Sequence, residues 1–212
     1  DFLARGEGLS MVLLKSDNAR EDARQFREAE IGAFDVFDFE RQGTGPDGTS
    51  VKLAFSLAFA RDPVSQHAGF ATCQHHFPQS FWNPAHQIHE NGTRGIGATI
   101  LVADNPADHH IFLSAFTGVR LLHSNSIGVT AHTPHGELAI MQVPSFRDQF
   151  GVTPKLDGEG TSFAGLRILA ADLMKLDDHL RTNNIACYRH VGRIIIPPEA
   201  AFGATLIFEQ IA

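Results

Sequence analysis

Apolar positions along the chain fall into a strand-then-helix pattern that recurs three times. The first copy runs Gly8-Leu9-Ser10-Met11-Val12-Leu13-Leu14-Lys15-Ser16 and leads into a polar stretch with Ala19, Ala23 and Phe26 on one helical face. Asp17 or Asn18 is predicted to cap that helix, which stops near Glu30-Ile31-Gly32, where glycine can take the left-handed conformation. The second copy runs from Gly95 to Ala103, then Asn105-Pro106, a cap followed by proline in the first turn. Phe112, Leu113 and Phe116 supply its buried side and Gly118 its stop. The third runs from Phe163 to Ala171, with Asp172 as cap, Leu173, Leu176 and Leu180 on one face, and Asn183-Asn184 closing the helix.

Extended segments, not further helices, follow each copy. Val36 to Glu40 and Val51 to Phe59 flank a Gly-rich turn at 43–48. That turn lacks the Lys-Ser/Thr ending of a phosphate loop. Ile127 to His132 and Glu137 to Val143 flank Pro134-His135-Gly136, and Ala186 to Val191, Arg193 to Ile196 and Ala204 to Phe208 close the chain. Parallel sheets need crossover helices, so the pattern predicts an α+β fold of repeated β-α-β-β(-β) modules. A ferredoxin-like sandwich is the competing arrangement. Gly69 to His76 reads as a strand closing the first module. Phe77 to Gly92 reads as an ordered connector, and Phe146 to Gly160 as a looser one.

Composition narrows the function classes. Seventeen Lys and Arg stand against 24 Asp and Glu, and no basic cluster is interleaved with aromatics, which argues against nucleic-acid binding. Seventeen Phe against one Trp and one Tyr point to core packing, not base stacking. No apolar run approaches the roughly 20 residues of a membrane span. Cys73 and Cys187 have no paired spacing, so a reducing, cytoplasmic setting is the expectation, with Cys73 a small buried hydrophobe. Neither GxSxG nor HExxH occurs.

Specific segments carry a family resemblance. Cys73-Gln74-His75-His76-Phe77-Pro78, Phe81-Trp82-Asn83-Pro84 and His89-Glu90-Asn91-Gly92-Thr93 lead straight into the next module's first strand. With the closing Gly203-Ala204-Thr205-Leu206-Ile207-Phe208-Glu209, they resemble the glyoxalase-like part of the vicinal oxygen chelate superfamily. At the level of organisation the resemblance covers nearly the whole chain. It implies curved, mainly antiparallel sheets of the glyoxalase/dioxygenase type around a cleft, with modules in pairs. Residues 1–93 would then complete an N-terminal pair whose first module precedes Asp1, and residues 94–212 would form a two-module domain. The gene is expected to encode that preceding module; a start codon immediately before Asp1 would contradict it.

The resemblance also implies chemistry. Metal-dependent members hold a divalent ion with two His and a Glu, taken from first strands and closing strands. By position the first-strand sites fall near Ser10, Ala98 and Gly165, and the closing-strand sites near Ala139 to Gln142 and at Glu209. Of the triad only Glu209 survives, so the usual His ligands are missing, and a metal held by other histidines such as His76 stays open. His75 and His76 must face opposite ways in a strand, whereas Gln74 and His76 share a face.

The implied roles are ligand orientation for Gln74, acid/base or ligand for His76, and metal ligand or base for Glu209. His75, Trp82 and His89 complete the candidate ligand-binding set. Plainer roles stand beside these: a hydrogen-bonded structural histidine, a solvated glutamate, and a tryptophan anchoring its connector. His86, His109, His110, His132 and His135 are expected at the surface or at caps. The function implied is action on, or binding of, a small oxygenated metabolite. The chain would be a lyase, isomerase or dioxygenase relative, or else a non-catalytic sequestering protein of the same fold. A homodimer is the implied assembly.

Overall fold

The computed structural model describes residues 4, 6–45, 47–65 and 67–211. Pro46 of the expected turn and Asp1 to Leu3 lie outside these. The described chain divides into a smaller unit, Met11–Arg61 with Gly69–Ile88, and a larger one, Asp1–Ser10, Asp62–Ala68 and His89–Ala212.

In the smaller unit β1 (Met11–Ser16) leads into α1 (Ala19–Glu28), then β2 (Phe37–Thr44), β3 (Ser50–Ala60) and β4 (Gly69–His75). The sheet order is β1-β4-β3-β2, with β1 parallel to β4 and the other pairs antiparallel. Asn18 is the cap, its side chain accepting from the Glu21 N–H, and Ala19, Ala23 and Phe26 are buried as the periodicity predicts. The helix stops close to the expected place, but through a different residue. Glu30, not Gly32, takes the left-handed backbone, at φ 58°. Gly32 serves a close approach instead, because a Cβ there would meet the Phe59 carbonyl oxygen at 2.7 Å. The connector after β4 is ordered, with a short helix α2 (Pro78–Phe81) and a 3-10 turn at Pro84–His86.

The larger unit carries the other two modules. The first of them comprises β5 (Thr93–Ala103), a 3-10 turn (Pro106–His109), α3 (His110–Thr117), β6 (His123–Ser124), β7 (Gly128–Thr133) and β8 (Gly136–Gln142). After α4 (Val143–Phe150) come β9 (Ser162–Ala170), α5 (Leu173–Thr182), β10 (Tyr188–His190), β11 (Arg193–Ile196) and β12 (Thr205–Gln210). Strand orders β5-β8-β7-β6 and β9-β12-β11-β10 repeat that of the smaller unit. Antiparallel pairing of β5 with β9 joins them into one eight-stranded sheet. A ferredoxin-like unit would need a second helix before its last strand. Each module has no α-helix between its last strands, so the fold is α+β, built from repeated β-α-β-β-β modules with mainly antiparallel mixed sheets.

The two faces of this sheet are packed differently. α5 lays Leu173, Leu176 and Leu180 against Ile194, Ile196 and Phe208 on one face. The opposite face holds Ala98, Ile100, Val102, Met141, Ile195 and Ile207, covered by Phe146 and Phe150. Those phenylalanines come from α4, in a stretch the sequence suggested was loose. Its polar residues masked a helix that ends at Gly151, left-handed at φ 74°. Phe146 is fully buried. Phe146→Ala should therefore destabilise the larger unit by about 3–5 kcal/mol in urea unfolding, and a loss under about 1 kcal/mol would contradict the packing described.

Candidate functional site

Strand pairing lines up charged side chains across the α4-covered face. Glu137 of β8 pairs with Ala98 of β5, Ala98 with Arg167 of β9, and Arg167 with Ile207 of β12. Successive contacts link His132 Nδ1 to Glu137 (3.3 Å), Glu137 to Arg167 Nη2 (2.5 Å), Arg167 Nε to Glu209 (3.1 Å) and Glu209 to Arg193 Nε (3.3 Å). These are partly buried groups, with roughly a quarter of each Glu and Arg side chain exposed. The Arg167 Nε–H is buried and not aimed at an acceptor. Its approach to Glu209 is therefore charge attraction and not a directed hydrogen bond. Room for the guanidinium comes from Ala98 and from Gly97 at a β-bulge. A Cβ on Gly97 would meet Leu169 at 3.0 Å and Arg167 Nε at 3.5 Å.

Arg193 is placed for a different task. Its guanidinium lies over the Phe150 ring at 5.7 Å while Nε faces Glu209. Its two terminal nitrogens have no protein partner among the described residues. α4, which carries Phe150, is tied down at its last turn by β10. The Tyr188 hydroxyl donates to the Phe150 carbonyl at 3.0 Å, and His190 Nε2 lies 2.9 Å from the Asp148 carbonyl.

Glu209 is thus a doubly ion-paired residue of the sheet face. That pairing leaves a divalent metal a poor fit. Both carboxylates already face guanidiniums, and Ala98 and Gly165 offer no donor atom. Among the described residues no group of three or more His, Cys, Asp or Glu could hold an ion. Withdrawing either carboxylate would also leave the partly buried Arg167 with one of its two counter-charges.

The remaining candidates have separate settings. Gln74 Oε1 accepts from the Ala19 N–H at 3.2 Å, at the start of α1. His76 Nε2 lies 2.7 Å from Ser56 Oγ, whose hydroxyl also donates to Asp38. Serine is the middle member of this set and is fully buried, so the order is wrong for a nucleophile activated by an Asp-oriented histidine. The Ser56 hydrogen bond, then that of Arg20, holds the Asp38 carboxyl below its ordinary value. His75 sits among Phe55 and Phe81, each 4.8 Å away by ring centroid, and Trp82 at 5.6 Å. Burial, then the Lys15 charge, pushes its imidazole below the usual histidine value. Cys73 is buried beside Leu53 and Phe55, as expected of a small hydrophobe. His89 belongs to the larger unit and is exposed; its carbonyl accepts from the Gly92 N–H.

One histidine expected at the surface or at a cap takes the cap position of α3 but is not at the surface. His109 is buried, with Nδ1 2.6 Å from Asp62 Oδ2. Ser65 donates to the same oxygen at 2.5 Å and lies 2.8 Å from Thr161 Oγ1. The sequence signal for this cluster was absent, because Asp62 and Thr161 approach His109 only through the fold. Arg167 had left a signal: a charge inside Phe163-Ala164-Gly165-Leu166-Arg167-Ile168-Leu169 breaks an apolar strand. Away from the charged face, a shallow groove of about 660 Å³ runs between α3 and β6, lined by His110, Ile111, Arg120 and Leu121.

No family model matches the chain, and no curated protein matches its sequence. Solved structures do. A hypothetical protein from Staphylococcus aureus superposes with a TM-score of 0.62 at 9% identity, over 95% of this chain and 66% of that one. The two share a fold. This chain spans about two thirds of that relative. Methylmalonyl-CoA epimerase from Mycobacterium tuberculosis matches at TM-score 0.45 and 14% identity, over 61% of this chain and 96% of that one. A glyoxalase/bleomycin resistance protein/dioxygenase from Nocardioides matches at 0.24 and 16%, over 54% and 82%. These two scores are too low to add to the fold assignment. Among the described residues no helix is long and apolar enough to cross a membrane.

The buried cluster makes a pH prediction. Burial pushes the Asp62 carboxyl up, but hydrogen bonds from His109 and Ser65 outweigh it and leave the group below its ordinary value. Its stabilising contribution is present above the ordinary aspartate range, about 3.9, and is lost as pH falls through that range toward the lowered folded value. Asp62→Asn should cost about 1.5–3 kcal/mol at pH 7 and flatten this acid limb in urea titrations. An unchanged acid limb would contradict the assignment.

Proposed function

We propose that this chain is a glyoxalase-like protein that binds a small oxygenated metabolite on the charged face of its eight-stranded sheet, without a metal ion and without chemical turnover. The observation that carries this reading is Arg193. Phe150 and Glu209 hold its guanidinium in place while its terminal amino groups stay free of protein partners. A planar fork of that kind matches the two oxygens of a carboxylate. Glu209 is engaged by two guanidiniums, and this favours binding over catalysis. Gln74, His75, His76 and Trp82 remain a proposed second set of ligand contacts in the smaller unit, with the ring of His75 and Trp82 as the apolar wall.

Titration of the purified chain against a panel of small hydroxy and keto acids, followed by NMR, tests this. Arg193→Gln should weaken the best binder by about ten- to a hundredfold, the worth of a charge-assisted pair, with the fold unchanged. A ligand bound equally well by Arg193→Gln would rule out this site. Metal analysis of untagged protein should find no stoichiometric metal. Stoichiometric metal that is lost in Glu209→Ala would instead support the enzyme reading.

A further inference from the structure

The return from α3 to β6 is fixed at both of its ends. Gly118 ends α3 in the left-handed conformation, at φ 71°. The Ser114 hydroxyl then donates to the Val119 carbonyl at 2.8 Å, and the Val119 N–H donates to Thr117 Oγ1 at 3.2 Å. At the far end β6 is held in the sheet, His123 pairing with Thr130 and Ser124 with Val129. Residues 120–122 span the interval between these points. Together with α3 they line the groove of about 660 Å³.

The apolar walls of this groove have not closed on each other. Ile111 of α3 is 69% exposed and Leu121 of the return is 91% exposed, although both line it with Leu122 and Ala115. Contact between such walls would gain about 25 cal/mol for each Å² hidden from water, and the fixed ends keep it from forming. The His110 ring is fixed as well. A carbonyl only accepts, so Nδ1 carries the hydrogen that His110 gives to the Ala107 oxygen at 2.6 Å.

Charge and shape select an occupant. Acidic side chains outnumber basic ones by 24 to 17 in this chain, yet no Asp or Glu lines the groove, whereas Arg120 does. Arg120 makes no ion pair among the described residues. Phe, Tyr and Trp are also missing from the lining, so there is no platform for a flat aromatic ligand. A guanidinium beside branched aliphatic side chains suits a carboxylate carried on a saturated chain.

We propose that the groove between α3 and β6 binds a free medium-chain acyl carboxylate. Arg120 takes the carboxylate, and Ile111, Leu121 and Leu122 lie along the chain. The site belongs to the helix side of the larger unit and stands whether or not the charged face binds a metabolite.

Titration of the whole chain with octanoate, followed by amide NMR, tests the proposal. Octanoate should shift the amides of Ile111, Leu121 and Leu122 saturably. Octanol and acetate should each bind at least about tenfold more weakly, having lost the charge or the chain. Arg120→Gln should weaken octanoate about tenfold, the worth of a charge-assisted pair, and Leu121→Ser about threefold to tenfold. Both positions are exposed, so the circular dichroism spectrum should be unchanged. Lys175→Gln removes an exposed cation of α5 and should leave octanoate binding as it was. Groove amides that octanoate does not move would overturn the proposal. So would equal weakening by Arg120→Gln and Lys175→Gln, the mark of diffuse charge attraction. Co-sedimentation with phosphatidylglycerol vesicles that Arg120→Gln abolishes would assign the groove to a lipid surface, and would overturn it too.

Discussion

Antiparallel pairing of β5 with β9 is the constraint from which the larger unit follows. Each module alone would leave a first strand with an open edge and one uncovered face. Joined through those strands, two modules place their helices on one side and build a shared floor on the other. The bulges along this seam matter as much as the pairing. They shift register at Gly97, where the absent Cβ leaves room for Leu169 and Arg167. In that room a cation from one module lies between carboxylates from both.

That cation sets the chemistry of the face. A partly buried guanidinium is tolerable only with its counter-charges held close, and Glu137 and Glu209 supply them from strands on either side. The arrangement works as a unit. Removing one carboxylate leaves the arginine with half of its compensation, and removing the arginine sets two carboxylates against each other. A shared fold does not carry an activity with it. Function follows from which groups stand on the floor, and here they are already neutralised in pairs, apart from the free end of Arg193.

Much of the fold could be read from the residues, because strand alternation, helix faces and caps are local. Asn18, Asn105 and Asp172 mark three helix starts through side-chain oxygens that accept nearby backbone N–H groups. α4 was hidden because eight residues carrying two buried phenylalanines give too short a period to recognise among Pro, Arg, Asp and Gln. The left-handed residue at the end of α1 was misplaced because glycine is the usual choice there, and Gly32 has a tertiary reason to be glycine. The site was less legible. Glu209 was found by its place on the closing strand, but its partners Arg167 and Arg193 come from other strands, and only register brings them together. The same holds for Asp62 and His109, which are 47 positions apart in sequence.

The seating of α4 has a consequence for how the face can change size. The helix forms the wall above Arg193, and what fastens its last turn is a three-residue strand at the outer edge of the sheet. Edge strands fray before central ones. Release of Tyr188 and His190 would therefore let the wall lift and enlarge the space over the guanidinium, while the eight-stranded floor kept its register. The wall above Arg193 is thus fastened at the periphery, by the shortest strand in its module.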